Sequence, residues 1–158
     1  MASGPPHKTW ILTGDLANFR INVERGFDPI GLKERRRRQA EEFEPGDEVF
    51  FYVTGVQAFG ALARVTSVMF EDREAIWPQG AKKKPEPYPW RVNAEPVIVL
   101  DEEGFVPAED LVDELEHIAK WPREHWHLAF QGQLRTIGAG DAERLTERLS
   151  AARAGTPA

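Results

Sequence analysis

Short apolar runs separated by turn residues fill residues 9–100, and a helical period appears only beyond residue 107. Residues 10–13 (WILT) read as a strand that opens the core. Asp15 is placed to cap a helical turn over residues 15–20. Residues 33–43 are polar, Arg-rich and made of good helix formers, which predicts a short exposed helix or turn. Residues 44–47 (EPGD) are a tight-turn signal, and residues 48–54 (EVFFYVT) follow at once. That run is apolar at nearly every position, as a strand covered on both faces requires. Gly55 breaks it, and residues 58–68 (AFGALARVTSV) predict an antiparallel partner strand bent at Gly60.

Residues 70–88 form a Pro/Lys/Glu-rich excursion without a period, and long irregular loops of this kind tend to be functional or mobile. Residues 88–100 (YPWRVNAEPVIVL) resume strand character, with Pro96 demoting the middle to an edge or a bulge. From Pro107 the period changes. Leu111, Val112, Leu115 and Ile118 share one helical face, with Pro107 near the first turn. Glu109, Asp110, Asp113 and Glu114 take the opposite face and the first turns, where the helix dipole favours acids. Residues 126–130 (WHLAF) predict another strand, ended by Gly132. Residues 141–153 predict an amphipathic helix with Leu145, Leu149 and Ala152 inward and Asp141 as its cap. Strands dominate the middle and helices flank them without βαβ alternation. The reading is an α+β fold, a small mixed β-barrel with helices outside. It forms one domain over residues 8–153 with flexible termini at 1–7 and 154–158.

A chain of 158 residues can bury a sizeable core but not two ordinary domains. No apolar run reaches the roughly 18 residues of a membrane span, and residues 1–8 lack the apolar stretch of a signal peptide. The chain has no cysteine, which excludes disulfides, thiol catalysis and cysteine-ligated metals, and fits a cytoplasmic protein. Net charge is −6. Residues 1–100 carry 14 basic and 14 acidic groups, whereas residues 101–158 carry 6 and 12. Overall acidity does not favour phosphate binding, but it leaves room for a basic surface in the first hundred residues.

No glycine-rich phosphate loop, HExxH motif or nucleophile elbow is present. The expectation is a protein that is not an enzyme and carries no cofactor. On a strand, His125 and His127 would point to the same side and could share a metal with His117 or Glu124. A rim pair flanking a buried Trp126 is the plainer reading, and no metal site is expected. Arg35 to Arg38 form one basic run, and Lys82, Lys83 and Lys84 a second. Each alone reads as a solvated face, but two in the same half of a small domain can flank one groove and contact phosphates. Several aromatics stand beside polar or turn residues: Phe19 after Asn18, Tyr88-Pro89-Trp90-Arg91, and Phe130-Gln131-Gly132. A pocket for a planar base needs aromatic walls and a few fixed polar groups at the base edge. Asn18, Gln131 and Arg91 can supply that edge. Trp10, Phe50, Phe51 and Trp126 read as core, while Phe19 and Trp90 divide evenly between core and pocket.

Taken in order, several segments resemble the EVE domain family, a branch of the PUA-like superfamily related to YTH domains. They are Trp10-Ile11-Leu12, Asn18-Phe19, Gly31-Leu32-Lys33, Glu44-Pro45-Gly46-Asp47 with Phe50-Phe51-Tyr52-Val53, Tyr88-Pro89-Trp90-Arg91-Val92, Trp126 to Gly132, and Leu134-Arg135-Thr136-Ile137. The resemblance spans residues 8–150 and implies a closed or nearly closed barrel surrounded by helices. It also implies a pocket for a modified base flipped from DNA or RNA. The implied pocket falls on Asn18, Phe19, Gly31, Leu32, Lys33, Tyr52, Tyr88, Trp90, Gln131 and Gly132. Phe19, Tyr88 and Trp90 would stack on the base, and Asn18 and Gln131 would meet its edge. Lys33, Arg35, Arg36, Lys82 and Lys83 would neutralise backbone phosphates. Phe19 and Ile30 stand where relatives commonly carry Trp, which implies a smaller stacking surface. The alternative expectation is a small-molecule sensor that uses the same pocket without nucleic acid. A hydrolase or metal enzyme built on His125 and His127 is the weakest of the three.

Overall fold

A computed structural model describes residues 7–77 and 88–155. Strands β1 (Thr9–Gly14) and β3 (Glu48–Val53) run parallel at the centre, paired from Thr9 with Glu48 to Gly14 with Val53. Between them come helix α1 (Leu16–Glu24), strand β2 (Ile30–Leu32), a 3-10 turn (Glu34–Arg36) and helix α2 (Arg37–Ala40). Asp15 caps α1 as expected, its carboxylate accepting the Asn18 amide at 2.8 Å. Strand β4 (Ala58–Val65) returns antiparallel to β3 after a turn in which Gly55 has φ +86°. Beyond it lie β5 (Phe70–Glu71), β6 (Trp90–Val92), β7 (Ala94–Val99) and β8 (Val106–Pro107). Helix α3 (Glu116–Ala119), strand β9 (Leu134–Ile137) and helix α4 (Ala139–Gly155) complete the chain.

The continuous apolar run of β3 is explained by two cores, one on each face of the main sheet. Val49, Phe51 and Val53 join Trp10, Leu12, Phe19 and Phe27 on one side. Phe50 and Tyr52 join Ile11, Leu62, Leu111, Leu145 and Leu149 on the other. Period-2 alternation in β1 and β3 thus sends neighbouring side chains into separate layers.

The expected barrel is not formed. The main sheet has the order β7-β4-β3-β1-β9, with β8 also on β4, and its outer strands β7 and β9 do not pair. A separate sheet has the order β2-β6-β5. The segment read as one strand over residues 88–100 is divided at Asn93: β6 belongs to the small sheet and β7 to the large one. The chain therefore changes layer where closure would need it to continue along one. Pro96 sits in edge strand β7, opposite a register shift in β4, as its missing N–H requires.

Three local expectations also fail, each for a tertiary reason. Residues 107–118 do not form one helix. A 3-10 turn (Ala108–Leu111) is followed by α3, with Leu115 extended between them. Asp141 does not cap α4 but lies within it, and its two carboxylate oxygens accept the Glu116 and His117 amides at 2.9 Å each. It caps α3 from a distance, so a new helix starts where the earlier one would have continued. Residues 126–130 are not a strand: Arg123–Phe130 is 3-10, kinked at His125. Trp126 and Phe130, four apart, meet with ring centroids at 6.3 Å, and Ala129 is buried beside them.

Asp47 is 1% exposed and holds the start of the β1–β3 pair. It accepts from the Trp10 indole at 3.0 Å, the Lys8 amide at 3.0 Å and the Glu44 amide at 3.1 Å. Asp47→Ala leaves three donors without their acceptor. The expected cost is about 3 kcal/mol, a fall of roughly 6–12 °C in Tm by calorimetry, with Asp47→Asn losing less.

Burial pushes the His117 imidazole below its ordinary value, and the positive charges of Arg135 and Lys120 push the same way. The hydrogen bond to the Ala129 carbonyl and the charge of Asp141 oppose them. Because the folded protein disfavours the cation, the unfolded chain binds more protons below the ordinary value of 6.5. Stability should therefore fall as pH drops below about 6.5 towards the depressed folded value, and His117→Gln should flatten that slope in Tm-versus-pH measurements.

Candidate functional site

At the carboxyl ends of the parallel β1–β3 pair the chain leaves the sheet in two directions and opens a cavity of about 480 Å³. One wall is the end of β1 with the first turns of α1, contributing Thr13, Asn18 and Asn22. A second is β2 at Gly31 and Lys33, and a third is Gln131, Gly132 and Gln133 ahead of β9. Trp77 and Tyr88, both in the connection between β5 and β6, form the fourth.

Trp77 and Tyr88 set the shape. Their rings are nearly perpendicular, 79° apart with centroids at 5.7 Å. The Trp77 indole donates to Asn22 Oδ1 at 2.8 Å. Its ring lies so close to the β2 backbone that a Cβ on Gly31 would fall 2.5 Å from Trp77 Cη2 and 2.9 Å from Tyr88 Cβ. Glycine at 31 is therefore a condition for seating both rings. Tyr88 holds a left-handed backbone, φ +51°. Arg91 fastens the arrangement from behind. It is fully buried, its Nε donates to the Tyr88 carbonyl at 3.1 Å, and its Nη2 donates to the Glu74 carbonyl. Nη1 faces Asp72 at 3.3 Å, and the guanidinium lies 5.1 Å from the Trp77 ring centre. Arg91 thus holds both aromatic walls, and it is not among the lining residues.

The polar groups come from three elements. Asn18 Nδ2 donates to the Tyr88 hydroxyl at 3.4 Å, while its Oδ1 is buried without a partner among the described residues. Gln133 Oε1 accepts the Lys33 amide at 2.8 Å, and its Nε2 lies 3.5 Å from the Gly31 carbonyl, so this side chain joins β2 to β9. Tyr52 stacks on Phe130 at 4.2 Å and 8°. Burial pushes its hydroxyl up to about 12, so it stays protonated and can donate. Lys33 and Arg35 bring positive charge, and the one carboxylate in the described lining, Asp15, is engaged as the α1 cap.

The structure brings together Asn18, Phe19, Gly31, Lys33, Arg35, Tyr52, Tyr88, Gln131 and Gly132. It does not bring in Leu32 or Trp90. Leu32 is fully buried in the core. Trp90 is buried too: its indole donates to the Glu34 carbonyl at 2.7 Å, and Arg37 and Arg73 lie over its ring at 4.9 and 5.6 Å. It anchors the basic segment and cannot stack on a ligand in the cavity. Phe19 reaches the cavity only as its floor, edge-on to Phe27, Phe51 and Phe105. Arg36 faces a neighbouring groove. Lys82 and Lys83 lie outside the described residues. His125 and His127 sit on the 3-10 segment with ring centres 6.3 Å apart, so the strand geometry behind a shared metal is absent. No group of three potential ligands is found among the described residues. Trp77 was missed by the sequence reading. Its signal was available, since it is an isolated indole in a polar loop.

The sequence model of the EVE domain family matches residues 8–136. No curated protein matches the chain. Among solved structures, a hypothetical protein from Leishmania major is similar with TM-score 0.65 and 16% identity, over 92% of this chain and 96% of that one. The YTH domain of Zygosaccharomyces rouxii MRB1 protein in complex with N6-methyladenosine RNA follows, at TM-score 0.63 and 14% identity, over 93% and 90%. A Pseudomonas putida protein is similar at 0.58 and 14%, over 89% and 98%. The open main sheet and its flanking helices thus share the fold of the YTH domain, and the chain belongs to the EVE domain family.

Proposed function

We propose that this protein is a non-enzymatic reader that takes a single modified nucleobase of DNA or RNA into the cavity. The observation that carries the reading is the perpendicular Trp77–Tyr88 pair beside the unpartnered Asn18 Oδ1. A flat heterocycle can stack on one ring and meet the other edge-on. Asn18 Oδ1 can then accept from an exocyclic amine, and Gln131 can contact the same edge. The volume lies within the range of roughly 300–1,000 Å³ common for ligand pockets. The similar YTH domain is itself in complex with N6-methyladenosine RNA. Lys33 and Arg35 at the site favour a nucleic acid over a neutral small molecule, despite the acidic chain.

Short single strands of RNA and DNA should be titrated at fixed ionic strength, carrying N6-methyladenine, 5-methylcytosine, 5-hydroxymethylcytosine or no modification. One modified strand is expected to bind at least tenfold more tightly than its unmodified counterpart. Tyr88→Ala should weaken that strand by roughly 5- to 150-fold, the loss of one stacking contact. Equal binding of all strands, or of none, ends the proposal.

The seat of Trp77 has its own test. Gly31→Ala should displace the indole, shift tryptophan emission to the red and abolish preference for the modified strand. Unchanged emission would show that the ring does not depend on that glycine.

A further inference from the structure

A second depression of about 570 Å³ adjoins the cavity on the far side of Gln131 and Gly132, which border both. Arg36, Lys120 and Arg135 line it, with Gln39 and Trp121, and none of its described lining residues is a carboxylate. Many of the chain's other cations are neutralised by acids. Elsewhere Lys8 pairs with Glu42, Arg20 with Glu102, Arg64 with Glu95, Arg123 with Asp113 and Arg148 with Glu114. Arg36, Lys120 and Arg135 have no carboxylate partner among the described residues.

The two guanidinium groups are also held in place. Arg135 Nε donates to the Gln131 carbonyl at 2.8 Å, which fixes one edge of the fork. Arg36 Nη1 donates to Gln39 Oε1 at 3.1 Å, and Gln39 Nε2 donates to the Leu134 carbonyl at 3.3 Å. Arg36 Nε is buried and unpartnered. Its Nη2 lies against Gly132, where a Cβ would fall 3.0 Å away and where φ is +83°. The ridge between cavity and groove at Gly132 is therefore bare backbone. His117 borders the same groove, where burial first and then the charges of Arg135 and Lys120 disfavour its protonated form.

We infer that the groove is a phosphate subsite, taking a backbone phosphate next to the nucleotide whose base enters the cavity. This rests on the base-reading proposal for the cavity itself. A base seated in the corner that Trp77 and Tyr88 form leaves its sugar-phosphate at the mouth, and the bare Gly132 ridge gives it passage to Arg36 and Arg135. Both guanidinium forks suit phosphate oxygens. Trp121, partly buried against the core, lines the same groove.

The test uses the full chain, single-stranded pentanucleotides with and without the modification, and the matching free nucleoside 5′-monophosphate. Lys120→Gln and Arg135→Gln, singly and together, are compared with the native chain across a salt series, with Tm as a folding control. The slope of log affinity against log salt should fall by about 0.7 per contact removed. Modified and unmodified strands should weaken by the same factor. Unaltered slopes with a retained modification preference overturn the groove and leave the base pocket standing. Reduced slopes without any preference support the groove and sink the base pocket. If the monophosphate binds as tightly as the strand, the groove's partner is a free nucleotide and the backbone assignment falls. Binding of no probe overturns both.

Discussion

The parallel register of β1 on β3 is the constraint on which the remaining structure rests. It is set at one end by Asp47, which is buried and accepts from the Trp10 indole and two backbone amides. It is continued at the other by the Thr54 amide donating to the Gly14 carbonyl at 2.9 Å. A slip by one residue would exchange the two faces and send Phe50 and Tyr52 into the layer of Phe51. The same register brings Gly14 beside Val53, and both strands end there. The cavity is thus a consequence of two strands stopping together, with α1 leaving one and the hairpin turn leaving the other.

The elements along this pair were legible in the sequence because their cues are local. The WILT run, the Asp15 cap, the EPGD turn and the unbroken EVFFYV strand each depend on neighbours a few residues away. What escaped depends on partners far along the chain. Nothing near Leu115 announces a break, because the group that starts α3 is Asp141 on another helix. Nothing in YPWRVNAEPVIVL marks Asn93 as a change of sheet. Strand-like alternation in WHLAF was misleading, since Trp126 and Phe130 are also spaced for a helix.

The site shows the same division. Asn18, Tyr88, Gln131 and Gly132 stood out as aromatic–polar neighbours in the sequence, the family resemblance added Gly31, and the fold does gather them. Trp90 was misassigned because an indole beside Tyr-Pro and Arg looks like a pocket wall. Its strand alternation turns it to the opposite side from Arg91, under Arg37 and Arg73. Charge was legible only in part. The excess of Arg at 35–38 is visible in the sequence, yet Arg37 is taken by Trp90 and Glu41. The open cations, Lys120 and Arg135, come from the acidic half of the chain.

Phe19 and Ile30 stand where the family resemblance implies Trp, yet neither supplies a stacking wall. Ile30 is fully buried and Phe19 is locked edge-on among three other phenyl rings, so neither offers a face. The indole in the cavity comes instead from Trp77, across from β2. It is held by three groups that are not interchangeable: the Asn22 amide at its N–H, the absent side chain of Gly31 against its benzo edge, and the Arg91 guanidinium near its face. A ring supported on three sides loses little rotamer freedom when a ligand arrives, so stacking energy is not spent on ordering the wall. The buried Arg91 is the costly member of this set, because desolvation lowers its tendency to stay charged. Its donors reach the Tyr88 and Glu74 carbonyls on opposite sides of the loop. The desolvation cost of that cation is offset by these two carbonyls and by Asp72, and the same contacts tie both ends of the aromatic wall to β6.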